Sequence, residues 1–484
     1  MTKHFPYKQT LIALALTAVP TLAQTIEGGM SKFTSTNTAI TKSYNWARKT
    51  ALSYAHDSND AVGPWYEAAL PNREAFCMRD VSHQVVGAHL LGLERQNKNM
   101  HTHFVENISE SRDYCSYWEI NRYNKPCPAD YANDHSFWYN LDANFDVLIS
   151  DYKLYQWTAD EDYIKAKAFA NFHKLTTHQY LERWMLEPEQ VMHRPLLLND
   201  KVTREQGNNF YGCRGIPSYT EGIPRLTMSA DLLAIISNAM KAYAEMCTME
   251  DNEQEARQAR AKSEQYSEII ESQWWDAKNN RYNMLVNDSG QFHSQQGMEF
   301  LLHYPITTRA ERINSCLDHF ETRPQAIEQI SYQPALLYRY NRAHAADSLI
   351  ALFPDMPRAL YPEVSYALIE GIVTGLMGVE PNAQHRILST VYRGDDNDKA
   401  ELTDVPLWGG KIDLRHDGKL ASQLTNNTGA RLTWIVKFAG KHRNIYINGK
   451  RRKAVRMMDE LGKAYNKVKV QIPANQTAEA SLRK

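Results

Sequence analysis

Two carboxylates stand where a chain could hold them for proton-transfer chemistry. The first is Glu221, in Arg214-Gly215-Ile216-Pro217-Ser218-Tyr219-Thr220-Glu221-Gly222-Ile223-Pro224-Arg225. Two prolines restrict the backbone on either side of it. Enclosure by Tyr219 and the apolar neighbours would raise its pKa by desolvation, which a general acid near neutral pH requires. The alternative is a surface ion pair with Arg214 or Arg225. The second is Glu363, in Arg358-Ala359-Leu360-Tyr361-Pro362-Glu363-Val364. It opens an apolar helix, where the positive helix end favours the ionised form that a general base needs. An ordinary acidic residue in a first helical turn would look the same.

Two further stretches carry binding chemistry. In Met78-Arg79-Asp80-Val81-Ser82-His83 the Asp80 carboxylate can accept from two neighbouring hydroxyls while the Arg79 guanidinium donates to a third; a simple ion pair at a helix start is the other reading. Asn133-Asp134-His135-Ser136-Phe137-Trp138-Tyr139-Asn140 combines an aromatic pair with a carboxylate and an imidazole, the apolar face and directional acceptors of a saccharide platform. Packing of Trp138 and Tyr139 against helix ends, with Asp134 as a cap, stays open beside it. The 17 His and 6 Cys show no metal-ligand spacing, and no nucleotide fingerprint, Walker loop or nucleophile elbow occurs, so neither metal nor cofactor is expected.

The elements that must position these residues are mostly helical up to about residue 386. Leu232, Ile235, Ile236, Ala239, Met240, Tyr243 and Met246 form an i, i+3, i+4, i+7 stripe. Similar stripes run from Leu141 to Tyr155 and from Val364 to Val379. Further helices are expected near 38–56, 76–93, 160–184, 252–275, 297–304, 309–321, 326–340 and 342–353. Two long loops, Glu119 to Asn140 and Glu187 to Leu226, are dense in aromatic and charged residues. Loops of that length in a compact domain are usually functional. After Arg386 short β-rich runs appear (Ile387–Tyr392, Lys411–Leu414, Leu432–Phe438, Asn444–Ile447, Val468–Ile472), punctuated by Asp417-Gly418 and Asn448-Gly449.

With 55 Lys+Arg against 56 Asp+Glu the formal net charge is −1, which argues against a nucleic-acid partner. Residues 1–23 read as a secretory signal peptide: Lys3 and Lys8, an apolar run from Leu11 to Val19, then small residues before Gln24. A secreted or periplasmic protein without membrane insertion is expected, with its oligomeric state open. In an oxidising compartment Cys115 and Cys127 could bridge; buried free thiols are the alternative.

Taken together these features resemble the six-hairpin glycosidase superfamily. The likeness is carried by Met78-Arg79-Asp80, by Asp142-Ala143-Asn144-Phe145-Asp146-Val147 after the aromatic loop, and above all by Tyr361 to Gly371 running into Gly378-Val379-Glu380-Pro381-Asn382-Ala383 and the β tail. The resemblance implies a mainly α fold, an (α/α)6 toroid over 24–386 followed by a small antiparallel β-sandwich domain over 387–484. It also implies an exo-acting, inverting glycoside hydrolase working on oligosaccharides. Its acid and base would fall on Glu221 and Glu363, with Asp134 and Asp80 as reserve acids. Arg79, Asp80, His83, Asp134, His135, Trp138, Tyr139, Tyr219, Arg225, Arg358 and Tyr361 would hold the substrate. Arg214, Arg225 and Arg358 flank the two carboxylates and suggest a clamp for a uronic acid, slightly favoured over rhamnose or glucose. Two rivals remain. One is a polysaccharide lyase using His193, Asn208, Asn209, Tyr211 and Tyr219; the other is a non-catalytic glycan-binding protein.

Overall fold

The computed structural model describes residues 30–70, 73–203, 209–293, 297–322 and 325–484. The expected signal peptide, with Asn72 and Asn208, lies outside these residues.

Six helices close into an inner ring, each touching the next: Met78–Leu90, Ala143–Thr158, Ala230–Met249, the short Phe300–His303, Ile327–Arg339 and Pro362–Glu370, which packs back on Met78–Leu90. The first five are each followed in sequence by an outer helix, for example Ala230–Met249 by Glu253–Ile269 and Ile327–Arg339 by Ala343–Leu352, whereas Pro362–Glu370 packs on Thr38–Ser53. Sequence composition separates the two layers. Met78–Leu90 buries every residue except Arg79, so polar side chains such as Gln84 and His89 are enclosed with the apolar ones. Glu253–Ile269 buries only Ala256, Ala259, Ser263 and Tyr266 and gives its remaining surface to charge. A helix with few charges and buried on nearly all sides goes inside, and one with a single narrow apolar stripe goes outside. The ring closes where Gly87 lies against the last helix. A Cβ there would stand 2.2 Å from the Tyr366 carbonyl oxygen, so only glycine permits the approach.

Most expected helices are present with ends shifted by a few residues. The helix Glu94–Glu106 has no counterpart in the sequence reading. Its apolar stripe is thin, and it buries Gln96, Asn97 and His101 instead, Asn97 accepting from Tyr66 (2.7 Å) and His101 facing Asp151 (2.6 Å). The stretch expected as one helix over 160–184 is broken into short pieces with a π turn at Thr176–Tyr180.

The chain is 42% helix and 24% strand, a larger strand share than a mainly helical fold implies. Part of it comes from strands of two to four residues in the connections between helices, too short to show alternation. The rest forms two sheets built from residues after 379 together with strand Lys32–Ser35. One has seven antiparallel strands in the order Lys32–Ser35, Lys399–Leu407, Gly410–Asp417, Ala421–Asn427, Gln476–Ser481, Asn444–Ile447, Lys450–Lys453. The other runs Glu380–Asn382, Ile387–Val391, Leu432–Ala439, Ala464–Ile472, Val455–Met458, and its Ile387–Val391 and Leu432–Ala439 strands are parallel, where an antiparallel arrangement was expected. Leu432, Trp434, Val436 and Phe438 alternate inward and join Leu402, Leu414 and Leu424 of the first sheet in one apolar core. Strand Lys32–Ser35 pairs with Lys399–Leu407, so the β part draws on both ends of the described chain.

All six cysteines are free and buried; Cys115 and Cys127 do not bridge. Cys115 sits in the toroid core, whereas Cys127 packs beside Ala69 and Ala75. No helix among the described residues is long and apolar enough to cross a membrane.

Candidate active site

The N-terminal ends of the inner helices surround a cavity of about 350 Å³, lined among others by Arg79, Asp80, Trp118, Tyr219, Glu221, Tyr332, Tyr361 and Glu363. Glu221 and Glu363 therefore reach the same space from loops 142 residues apart. Helix Met78–Leu90 starts immediately after the strand Ala75–Cys77, which fixes where Arg79 and Asp80 enter the cavity. Arg79 lies 3.3 Å from Glu221 and 4.0 Å from Asp142, and its guanidinium is sandwiched by Trp118 (5.4 Å) and Tyr219 (5.1 Å). Asp80 accepts a hydrogen bond from Tyr361 (2.5 Å).

Below the cavity floor the toroid axis is polar. His83 Nδ1 is 2.9 Å from Glu363 and 2.6 Å from the Tyr332 hydroxyl, which also donates to Glu363. His83 Nε2 is 3.5 Å from Asp146. Asp146 in turn accepts from Tyr219 (2.6 Å) and Tyr304 (2.5 Å). Burial alone would lower the His83 pKa. The hydrogen bonds and charges of Asp146 and Glu363 outweigh it and raise the imidazole to about 9.

The two carboxylates differ in the opposite sense from that expected. Glu221 is 31% exposed and faces a guanidinium. Glu363 is 3% exposed, and burial pushes it up to about 7 against the pull of His83. The position at a helix start did not decide the matter, because the ring of helices removes Glu363 from water more strongly than one helix end can compensate.

Several expected binding residues lie elsewhere. Trp138 and Tyr139 are buried in the toroid core; Tyr139 is fully enclosed and lies against Asn144 (2.5 Å). Their loop turns inward because aromatic burial outweighs display of two rings to solvent. His135 is exposed on the turn between Tyr131–Asn133 and Ser136–Phe137. Asp134 is held by Ser111, Tyr131 and Arg112. Its slight burial would raise the pKa, but these bonds bring it down to about 2, which is unsuited to an acid. Arg214 pairs with Asp113 (2.9 Å), Arg225 with Asp288, and Arg358 with Glu328 (2.7 Å), so the three arginines of the expected clamp are already occupied and none lines the cavity. His193, Asn209 and Tyr211 are also absent from the lining.

Sequence reasoning missed Asp146, Tyr304, Tyr332, Arg73 and Glu119. Asp146 had a visible signal, a lone carboxylate in the otherwise apolar run Phe145 to Leu148. Glu119 had none beyond its loop. Burial and then Asp130 raise it to about 8, and Arg73 lies between the two at 2.7 and 3.0 Å. Glu119, Cys127 and Asp130 bring ligand atoms within 4.8 Å of one another, but Arg73 already supplies the positive charge a cation would bring.

No family model and no curated protein sequence matches the chain. Solved structures share its course. A GH78 family rhamnosidase of Bacillus sp. GL1 superposes with a TM-score of 0.55 at 10% identity, over 83% of this chain and 41% of that one. An alpha-L-rhamnosidase from Dictyoglumus thermophilum gives 0.59 at 10% identity, over 94% and 50%. A sialidase gives 0.50 at 11% identity, over 91% and 42%. The fold these structures share with the chain is an (α/α)6 toroid with a β part. The chain spans half or less of the length of these three structures.

Proposed function

We propose that the chain is an exported glycoside hydrolase that removes one terminal sugar from an oligosaccharide with inversion, using Glu221 and Glu363. The observation that carries this reading is that both carboxylates line one cavity at the N-terminal ends of the inner helices. A volume of about 350 Å³ is at the small end for ligand sites and suits one terminal unit better than the middle of a polymer. Export rests on the composition of residues 1–23 alone. The division into a toroid catalytic domain and a β domain belongs to the same proposal.

The unequal environments support exchanged roles. Glu363, raised to about 7 by burial, carries a proton in a substantial share of molecules near neutral pH, and in that form would protonate the leaving oxygen. Glu221, beside Arg79, would take the proton of the attacking water. Asp80, Tyr361 and Arg79 are placed to hold hydroxyls, and Trp118 replaces Trp138 as the aromatic wall. The lining carries Asp80, Glu119, Glu221, Glu328 and Glu363 against Arg73 and Arg79, both already paired. That balance favours an uncharged terminal sugar over a uronic acid.

Leaving-group chemistry tests the assignment. Glu363→Gln should lose turnover on an alkyl or sugar leaving group but keep most of it on a dinitrophenyl glycoside, which needs no acid. Glu221→Gln should lose both. The reverse pattern would return the acid to Glu221, and full activity in both variants would end the proposal. The anomer released first, read by NMR, tests inversion.

A further inference from the structure

Outside the cavity, charge is most uneven on the flank of the β part. Between residues 441 and 456 the chain carries Lys441, Arg443, Lys450, Arg451, Arg452, Lys453 and Arg456 and no carboxylate. This occurs in a chain whose formal net charge is −1. All seven cations are exposed, and none forms an ion pair with a described residue closer than the 4.0 Å limit for such pairs. Five of them lie on two edges that meet, and Lys441 and Arg443 stand just before the neighbouring strand Asn444–Ile447. Lys450–Lys453 is the outermost strand of the seven-stranded sheet, and Val455–Met458 is the outermost strand of the five-stranded sheet. Ala454 joins them and is hydrogen-bonded to the Arg443 carbonyl (3.0 Å). One nearly continuous extended run of about 30 Å thus borders both sheets.

We propose that this basic border docks a linear polyanionic glycan, a polysaccharide bearing carboxylate or sulfate groups along its length. Register supports a linear partner over a flat one. Lys450 and Arg452 stand opposite Ile447 and Ile445, whereas Arg451 and Lys453 stand opposite Tyr446 and Asn444. The cations therefore project to both faces of the edge. A membrane surface could meet one face only, while a chain lying along the edge is reached from both. Nucleic acid is the less suitable polymer, because the run from 441 to 456 contains a single aromatic residue, Tyr446, and single-stranded binding relies on repeated stacking. Protecting an edge from strand pairing calls for a charge or two, which does not account for five of one sign on the edges with two more beside them.

The test uses the full chain with polygalacturonate as probe and neutral pullulan as control, at about 50 and about 300 mM salt. The parent should bind polygalacturonate and not pullulan, and lose at least about tenfold in affinity at the higher salt. Lys450→Gln/Arg451→Gln/Arg452→Gln/Lys453→Gln should bind at least about tenfold more weakly at low salt. If that variant melts early, the pair Arg451→Gln/Lys453→Gln should show an intermediate loss. Unchanged binding in the folded variants overturns the proposal. So does tighter binding of the parent to phosphatidylglycerol vesicles or to a single-stranded oligonucleotide. Glu363→Gln should bind polygalacturonate like the parent, so failure of the border and failure of the hydrolase reading appear in separate measurements.

Discussion

The cavity and the basic border handle charge in opposite ways. Around the cavity every cation has a partner inside the protein: Arg73 lies between Glu119 and Asp130, Arg79 between Glu221 and Asp142, and His83 between Glu363 and Asp146. On the border seven cations face water. Paired, buried charge tunes protonation and leaves little net field, whereas unpaired surface charge attracts from a distance and is screened by salt. On the two proposals made above, one chain would select an uncharged sugar at one place and hold a charged polymer at another.

The largest effect expected in breaking this contrast is catalytic. Glu221→Gln and Glu363→Gln should each lower kcat on an unactivated glycoside by about 10²–10⁴-fold while leaving the border unchanged. Next comes the ring itself. Gly87→Ala places a methyl group into the Tyr366 carbonyl and should cost about 3 kcal/mol in a denaturant titration, affecting the cavity and not the isolated edge. A smaller effect concerns pH. If Glu363 is the acid, the rate falls as pH rises through about 7, and removing the cation in His83→Asn should move that limb to higher pH. His83 binds its proton more tightly folded than unfolded, so the stability it lends is full below about 6.5 and is lost as pH rises to about 9. The Tm difference between parent and His83→Asn should shrink across that window. The smallest effect is salt: hydrolysis of a short uncharged substrate should change less than about twofold between 50 and 300 mM, because the cavity cations are already paired.

Much of the architecture was legible in the sequence, because strong stripes such as Leu232 to Met246 can be satisfied only by burial. Glu94–Glu106 escaped because its contacts are polar, and Lys399–Leu407 because Pro406 and an irregularity after Leu402 hide the alternation. The site was legible in its carboxylates and only partly in its surroundings. Glu221, Glu363, Arg79, Asp80, Tyr219 and Tyr361 share the cavity; Arg79, Asp80, Tyr361 and Glu363 sit at the start of an inner helix, and Tyr219 and Glu221 in the loop before strand Leu226–Ser229. Trp138 and Tyr139 misled because a Trp-Tyr pair suits a sugar wall and a core equally well. The pairing of Arg225 and Arg358 with Asp288 and Glu328 depends on partners 63 and 30 residues away, which spacing alone does not reveal. The border was hidden by the near-zero net charge, which averages over exactly the asymmetry that matters locally.

Strand Lys32–Ser35 finds its partner in Lys399–Leu407, and the helix Thr38–Ser53 that follows packs on Pro362–Glu370. During synthesis these early segments must wait for more than three hundred residues before either can be covered. Acquisition of the native state should therefore be slow and late, limited by one terminal docking event. A chain shortened before residue 399 would leave strand Lys32–Ser35 without its partner, and one shortened before residue 362 would leave the ring open as well, a combination prone to association with its own kind.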